Sequence, residues 1–350
     1  MLDVPSLVSR TCYILTVLFN STLIYLTMYH TKEIVGTYRN MIVTFATIGI
    51  GFSTLDILVR PLFHSYNGCL LYFTLGSTFR SSKTLSEYFL LAYCGMYAVI
   101  LGFLTVQFMY RAAVLSRPNM TKQFAGWKLA VWVAYTLMVG AFWAIATSWV
   151  GMDEPVFEYL RDEILDVYGV EIREVAGFAV LAYNGKMSFE NIRWKSVICI
   201  SCVSLILTSQ YILMLLAGIA MYRKIKVDTN TSSTYYANLQ KQFFMTLIYQ
   251  VSAPSLIFHA PALIVLTAPF FDFKFSFHSQ IVLYGFSIYP LIDSLIVLNV
   301  ISEYKNAVKK CFALVMRDIY ECMGGDTPRP PPSNVSFSAA RLAMIQENTL

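Results

Sequence analysis

The chain has 350 residues, of which 57% are hydrophobic and only 13% charged, with a formal net charge of +5. Soluble domains carry about 25% charged residues, so a water-soluble globular protein is excluded and lipid burial must account for the apolar excess. The net positive charge lies on one set of loops while the opposite set is slightly acidic, a pattern that nucleic-acid binding does not explain.

Seven stretches, residues 11–29, 40–59, 88–110, 129–150, 196–222, 242–271 and 280–301, are each apolar enough to cross a bilayer. A helix rises about 1.5 Å per residue, so roughly 20 residues cover a hydrocarbon layer of about 30 Å. Five of the seven contain no Asp, Glu, Lys or Arg; the second holds only Asp56 and the seventh only Asp293. Every backbone group in lipid needs an internal partner, so these spans are helices. The expected fold is an all-α membrane protein, a seven-helix bundle over residues 1–302. The first span lacks a basic flank and a clear cleavage site, and reads as a retained helix rather than a signal peptide.

Loops 30–39, 111–128 and 223–241 and the segment from 303 onward hold 16 Lys and Arg against 7 Asp and Glu. The opposite side, with loops 60–87, 151–195 and 272–279 and the N-terminus, holds 10 against 12. Basic loops stay in the cytosol, which predicts an outer N-terminus and an inner C-terminus. Four Asn-x-Ser/Thr sequons, at Asn20, Asn119, Asn230 and Asn334, all fall outside the predicted outer loops.

Loop 151–195 is the one large outer segment. Apolar Phe157, Leu160, Ile164 and Tyr168 recur at helical spacing with acids between them, predicting a helix over 154–168. Residues 178–183 and 186–192 flank Asn184-Gly185, which suits a hairpin turn. Helix and hairpin would form a lid; a solvated loop of no fixed shape is the other reading. After the seventh span, Tyr304, Val308, Cys311, Phe312, Val315, Ile319 and Cys322 alternate with Lys305, Lys309, Lys310 and Arg317. That predicts an amphipathic helix over 303–323 on the inner lipid surface. Cys311 and Cys322 on its apolar side are either palmitoylation sites or unmodified thiols. The Pro-rich tail 324–350 is expected to be disordered.

Catalysis has little to work with. There are four histidines, no Gly-rich phosphate loop, no facing carboxylates and no Cys or His spacing suited to a metal. An enzyme, a cofactor and a metal are therefore not expected. Asp56 is followed four residues later by Arg60, the favourable order for a helical ion pair. Asp293 follows Pro290 in the seventh span, and Gln250 precedes Pro254 in the sixth. A proline bend beside a buried polar group is either a joint between two packings or a satisfied interior contact. Arg111 closes the third span at its inner end, where snorkelling alone would also explain it.

Further segments follow in a fixed order. Gly36-Thr37-Tyr38-Arg39 precedes the second span and Arg60-Pro61-Leu62-Phe63-His64 follows it. Phe108-Met109-Tyr110-Arg111 ends the third, and Leu239-Gln240-Lys241-Gln242 opens the sixth. Tyr289-Pro290-Leu291-Ile292-Asp293 lies in the seventh, with Ile301-Ser302-Glu303-Tyr304-Lys305 after it. With these motifs the chain resembles the nematode seven-transmembrane chemoreceptors of the str type. It departs from them at Ala112, where a tyrosine usually follows the arginine, and at Ser294, near which a second proline is common.

The resemblance implies a G-protein-coupled chemosensory receptor in the plasma membrane, in the cilium of a sensory neuron. Its partners would be a small odorant or soluble attractant or repellent, a heterotrimeric G protein and membrane lipid. Switching and coupling would fall to Tyr110, Arg111, Arg223, Lys224, Lys241, Gln250, Pro254, Tyr289, Pro290 and Asp293. The ligand would lie in the outer half among Tyr93, Tyr97, Ser204, His259 and Tyr284, each of which interior packing also explains. No lysine lies in the seventh span, so a retinal Schiff base is excluded. The rival readings are a ligand-gated cation channel of inverted topology and a small-solute transporter. The charge count opposes the first, and the second would show half-repeats and more intramembrane charge.

Overall fold

The computed structural model describes residues 4–30, 36–79, 81–116, 118–185, 188–228, 234–271, 276–277 and 280–322. Residues up to Lys305 form one compact unit and those from Asn306 a second. In chain order the elements are α1 (Val4–Tyr29), α2 (Gly36–Val59), strands β1 (Pro61–Tyr66) and β2 (Cys69–Thr74), α3 (Lys83–Ser116) and α4 (Lys128–Ser148). Next come α5 (Glu154–Tyr168), β3 (Ala176–Leu181), α6 (Trp194–Asp228), α7 (Thr234–Pro254), a π-helical turn (Ser255–His259) and α8 (Ala260–Thr267). Strand β4 (Ser276–Phe277), α9 (Gln280–Val300) and α10 (Ser302–Cys322) complete the series.

Seven of the helical runs are long and apolar enough to span a membrane: α1, α2, α3, α4, α6, the α7–α8 run and α9. Helix α3 is the axis of the bundle, with 72% of its most apolar stretch buried, more than in any other span. It packs tightest against α4, where Gly95 and Gly140 face each other. A Cβ on Gly95 would stand 2.9 Å from the Gly140 carbonyl oxygen, and one on Gly140 2.7 Å from that of Gly95. Small residues of this kind let two helix backbones approach in lipid, where close packing drives association. Pro254 ends α7, and the chain continues through the π turn rather than a regular α turn. Pro290 lies inside α9. Each proline removes one helical N–H and bends its span.

One end of the bundle is capped by an antiparallel sheet of order β3-β2-β1-β4. Strands β1 and β2 meet through a two-residue turn at Asn67-Gly68, with Tyr66 opposite Cys69 and Asn67 at φ 46°. Strand β3 pairs along the whole of β2, from Cys69 opposite Leu181 to Thr74 opposite Ala176. Alternate side chains go to opposite faces. Leu70, Tyr72, Phe178 and Val180 belong to the core of the bundle, while Cys69, Leu71, Phe73, Ala179 and Leu181 pack on Val156, Leu160 and Ile164 of α5. Gly177 permits the β2–β3 contact, because a Cβ there would lie 2.7 Å from that of Phe73. Helix α5 ends at Gly169, whose φ of 67° is open to glycine at little cost. It is tied to β1 by His64, whose Nε2 lies 3.0 Å from Glu163 and whose Nδ1 lies 3.3 Å from the Tyr168 hydroxyl. Arg193 donates to Asp153 at the other end of α5.

The hairpin expected across Asn184-Gly185 takes another form. Its first arm is β3, but β3 is buried on both faces and pairs with β2; an isolated bridge joins Tyr183 to Ile192. The first turn of α10 is pinned to the bundle. Ser302 donates its N–H and hydroxyl to Gln242 Oε1, both at 2.9 Å, and the Tyr304 hydroxyl lies 2.7 Å from that of Thr27. The sequons at Asn230 and Asn334, the tail 324–350 and the side chains of Cys311 and Cys322 lie outside the described residues.

Candidate functional site

Beneath the sheet, within the capped end of the bundle, lies a cavity of about 120 Å³. Its ceiling is the bundle-facing side of the sheet: Phe63, Leu70, Tyr72, Phe178 and Val180. Tyr93 and Tyr97 of α3, Trp143 of α4, Val203 of α6 and Phe286 of α9 form the walls. Tyr97 is the hub, with the rings of Phe286, His259 and Trp143 edge-on to it at 4.8, 5.4 and 5.6 Å. The polar tips of two lining tyrosines are already engaged. Tyr72 donates to the Leu90 carbonyl and Tyr93 to Asp56 Oδ1, each at 3.0 Å. What remains is a concave aromatic and aliphatic surface, suited to a small ligand with few polar groups.

Two of the five expected ligand residues, Tyr93 and Tyr97, stand in this wall. His259 stands behind Tyr97 in the π turn and is hydrogen-bonded to Tyr211. Ser204 is half-buried beside Val203 and does not line the cavity. Tyr284 lines a second cavity instead. The sequence places Phe178 and Val180 in the lid arm 178–183 but gives no expectation for the β1–β2 part of the ceiling, although Asn67-Gly68 between two apolar runs is the same turn signal as Asn184-Gly185.

That second cavity, of about 370 Å³, opens between α1, α2, α9 and β1 and is polar, bordered by Ser9, Arg10, Asp56, Arg60, Tyr284 and Ser287. The expected ion pair between Asp56 and Arg60 is absent. Asp56 is 4% exposed and accepts instead from Ser9 at 2.6 Å, Ser287 at 2.8 Å and Tyr93 at 3.0 Å. Arg60 has φ 48°, which turns its side chain off the α2 helical path. Its Cδ lies over Gly76, 3.4 Å from where a Cβ on that residue would stand.

Toward the other end, Gln250 of α7 donates to Asp293 Oδ1 of α9 at 2.7 Å, with both residues buried. Asn20 of α1 donates to the Pro290 carbonyl at 3.3 Å, and Gly49 of α2 leaves room for the Pro290 ring. Tyr289 is buried and borders the same small space as Asn20, Pro290 and Asp293. The bend of α9 is thus packed against three other helices, two of which supply polar groups.

Arg111 is 5% exposed. Its guanidinium carbon lies 3.3 Å from the Tyr38 ring centre and 3.7 Å from that of Phe243, so aromatic faces from α2 and α7 enclose a cation from α3. Its Nε and Nη2 have no hydrogen-bond partner among the described residues. Tyr110 stacks on Tyr38 at 6.3 Å and stands edge-on to Phe124 at 5.5 Å. Arg223 and Lys241 are exposed and Lys224 is half-buried, while Arg111 is enclosed by the two rings.

Comparison with known proteins gives this architecture a context. The family described as serpentine type 7TM GPCR chemoreceptor Str matches residues 5–309. The G-protein coupled receptor str-33 of Caenorhabditis elegans is 37% identical over 314 residues, covering 89% of this chain and 91% of that protein. Serpentine receptor class r-10 of the same organism is 22% identical over 275 residues, covering 78% and 80%. The crystal structure of squid rhodopsin aligns with 94% of this chain and 88% of its own, at 12% identity and a TM-score of 0.47. With the family matching nearly its whole folded length, the chain belongs to the serpentine seven-transmembrane chemoreceptors of the str type.

Proposed function

We propose that this receptor binds a small, weakly polar odorant or soluble chemical in the cavity beneath the sheet and activates a heterotrimeric G protein at the Arg111 end. The sheet end faces the outside and the Arg111 end the cytosol, a topology supported by the excess of Lys and Arg in the loops at that end. Its place is the plasma membrane of a sensory cilium. It works as a receptor rather than an enzyme.

The carrying observation is the course of α3. One helix sets Tyr93 and Tyr97 in the cavity wall and Arg111 in the aromatic clamp, the two tyrosines lying roughly 27 and 21 Å from the arginine along its axis at about 1.5 Å per residue. A ligand that fits the cavity better in one packing of α3, α8 and α9 shifts the population toward that packing. The clamp at the far end then opens or closes with it.

The test is expression in a G-protein reporter cell and a screen of small neutral volatile and water-soluble compounds. Val203→Trp, which fills the cavity, and Tyr97→Ala, which removes its hub, should each abolish the response at matched surface level. A stimulus-evoked current that persists without any G protein would reject this reading in favour of a channel.

A further inference from the structure

We propose that the polar cavity between α1, α2, α9 and β1 is a second binding site, and that it takes a small organic carboxylate. The argument begins with charge. Arg10 and Arg60 both border the cavity, and neither side chain has an ion-pair or hydrogen-bond partner among the described residues. Two guanidinium groups bordering one cavity mouth leave it with an excess of positive charge. An oxyanion relieves it, and guanidinium groups match a carboxylate in geometry as well as in charge.

The acid in the same cavity does not reverse this preference. Asp56 is buried, and both its oxygens already accept from Ser9, Ser287 and Tyr93. Its lone pairs are largely committed, so a cationic ligand would have to displace hydroxyl donors to reach it. The arginines are exposed at the mouth and uncommitted. Tyr284 and Leu283 add an aromatic ring and an aliphatic side chain to the wall, so a carboxylate with a short hydrocarbon tail fits better than an inorganic anion.

The site adjoins the apolar cavity. Leu283 lines both spaces, and Tyr93 lines the first while donating to Asp56 in the second. An anion bound between the arginines would act on Asp56 and, through Tyr93, on the wall of the apolar cavity. The proposal does not depend on what that cavity holds, because binding at the polar site can be measured without signalling.

The experiment uses the purified full chain in lipid-free detergent and reads ligand-induced thermal stabilisation. The probes are hexanoate, the neutral hexanamide and the cationic hexylamine. Hexanoate should stabilise the receptor saturably, with an apparent affinity about tenfold or more above that of hexanamide. Arg10→Gln and Arg60→Gln should each lose about tenfold for hexanoate and leave hexanamide unchanged. If Arg60→Gln fails to fold, Arg10→Gln on the exposed side of α1 decides the matter.

Equal binding of hexanoate and hexanamide, or hexanoate binding undiminished in the variants, overturns the proposal. So does preferential binding of hexylamine. The measurement is repeated in vesicles of neutral phospholipid with and without anionic lipid. Saturable hexanoate binding in both supports a site for a free carboxylate; its loss in anionic vesicles shows that the arginines serve lipid headgroups and overturns the small-ligand assignment. Failure on any of these arms leaves the apolar cavity's role standing, since that is read from signalling by the Val203 and Tyr97 variants.

Discussion

Arg111 lies over Tyr38, its guanidinium carbon 3.3 Å from the ring centre, and Phe243 stands beside that contact at 3.7 Å, edge-on to Tyr38. Three helices therefore meet around one buried cation. Such a contact contributes on the order of 1–2 kcal/mol when desolvated, enough to change a two-state population about fivefold or more. Tyr38→Leu and Phe243→Leu should each raise basal G-protein signalling about fivefold at matched surface level. Arg111→Ala should reach the surface yet lose ligand-evoked signalling. Full signalling in the Arg111 variant would sink its assignment to the switch.

The Gln250–Asp293 hydrogen bond joins the two proline-bent spans at 2.7 Å. Gln250→Leu leaves a buried carboxylate oxygen without that donor, at a cost of about 1–3 kcal/mol. Asp293→Asn keeps an acceptor in place and should act in the same direction but more weakly. Both should change basal activity more than ligand affinity, measured by reporter output without ligand and by dose–response midpoint. An altered midpoint over an unaltered baseline would contradict a role in switching.

The seven spans were legible in the sequence because hydropathy over some 20 residues is a local quantity, and seven membrane-length helices are observed. Helix α5 was legible for the same reason, through its 3.6-residue period. The sheet was not. Strands β2 and β3 are buried on both faces, so they read as continuous apolar runs without alternation, and their pairing joins Cys69 to Leu181 across a whole helical hairpin. Within the site, helical phase decided the outcome. Val203 points into the cavity and its neighbour Ser204 does not; Leu283 borders it and Tyr284 turns away. A rotation of about 100° per residue separates the two in each pair, and hydropathy does not record it. The Asp56–Arg60 pair failed because i, i+4 spacing presumes a continuing helix, whereas Arg60 takes φ 48°.

The α3–α4 contact gives a steric prediction that hydropathy cannot. A side chain on Gly140 would meet Val99 Cγ2 at 2.6 Å and the Gly95 carbonyl at 2.7 Å. The backbone oxygen has no route of escape, so Gly140→Val should destabilise the receptor by about 1–3 kcal/mol. It should appear as less surface receptor and a lower melting temperature. Gly102 faces the same helix, but a Cβ there would stand 3.5 Å from the Thr136 side chain, an ordinary contact. Gly102→Ala should therefore be tolerated, and an equal loss in both variants would refute the close-approach argument.

The cap offers its own reporter. Cys69 is fully buried between the sheet and α5, and burial pushes its thiol up from 9.0 to about 12. Tyr168, on α5, is raised to about 12 by burial and then by the Glu163 carboxylate. Both groups keep their protons in the folded cap, so its stability is intact below their ordinary values and declines as pH rises toward 12. At pH 8 the buried Cys69 is therefore far less ionised than an ordinary thiol, and alkylation must be slow unless the cap opens. His64→Ala removes the contact with Glu163 that holds α5 to β1. It should speed iodoacetamide labelling of Cys69, followed peptide by peptide in a mass spectrometer, by about tenfold, the effect of some 1.4 kcal/mol on the opening equilibrium. A ligand of the cavity below should slow it, because Leu70 and Tyr72 on the same strand form the ceiling that opening would lift. Labelling of Cys69 at the rate of an exposed thiol in the unaltered receptor would mean that the sheet and α5 do not form a closed cap in the membrane.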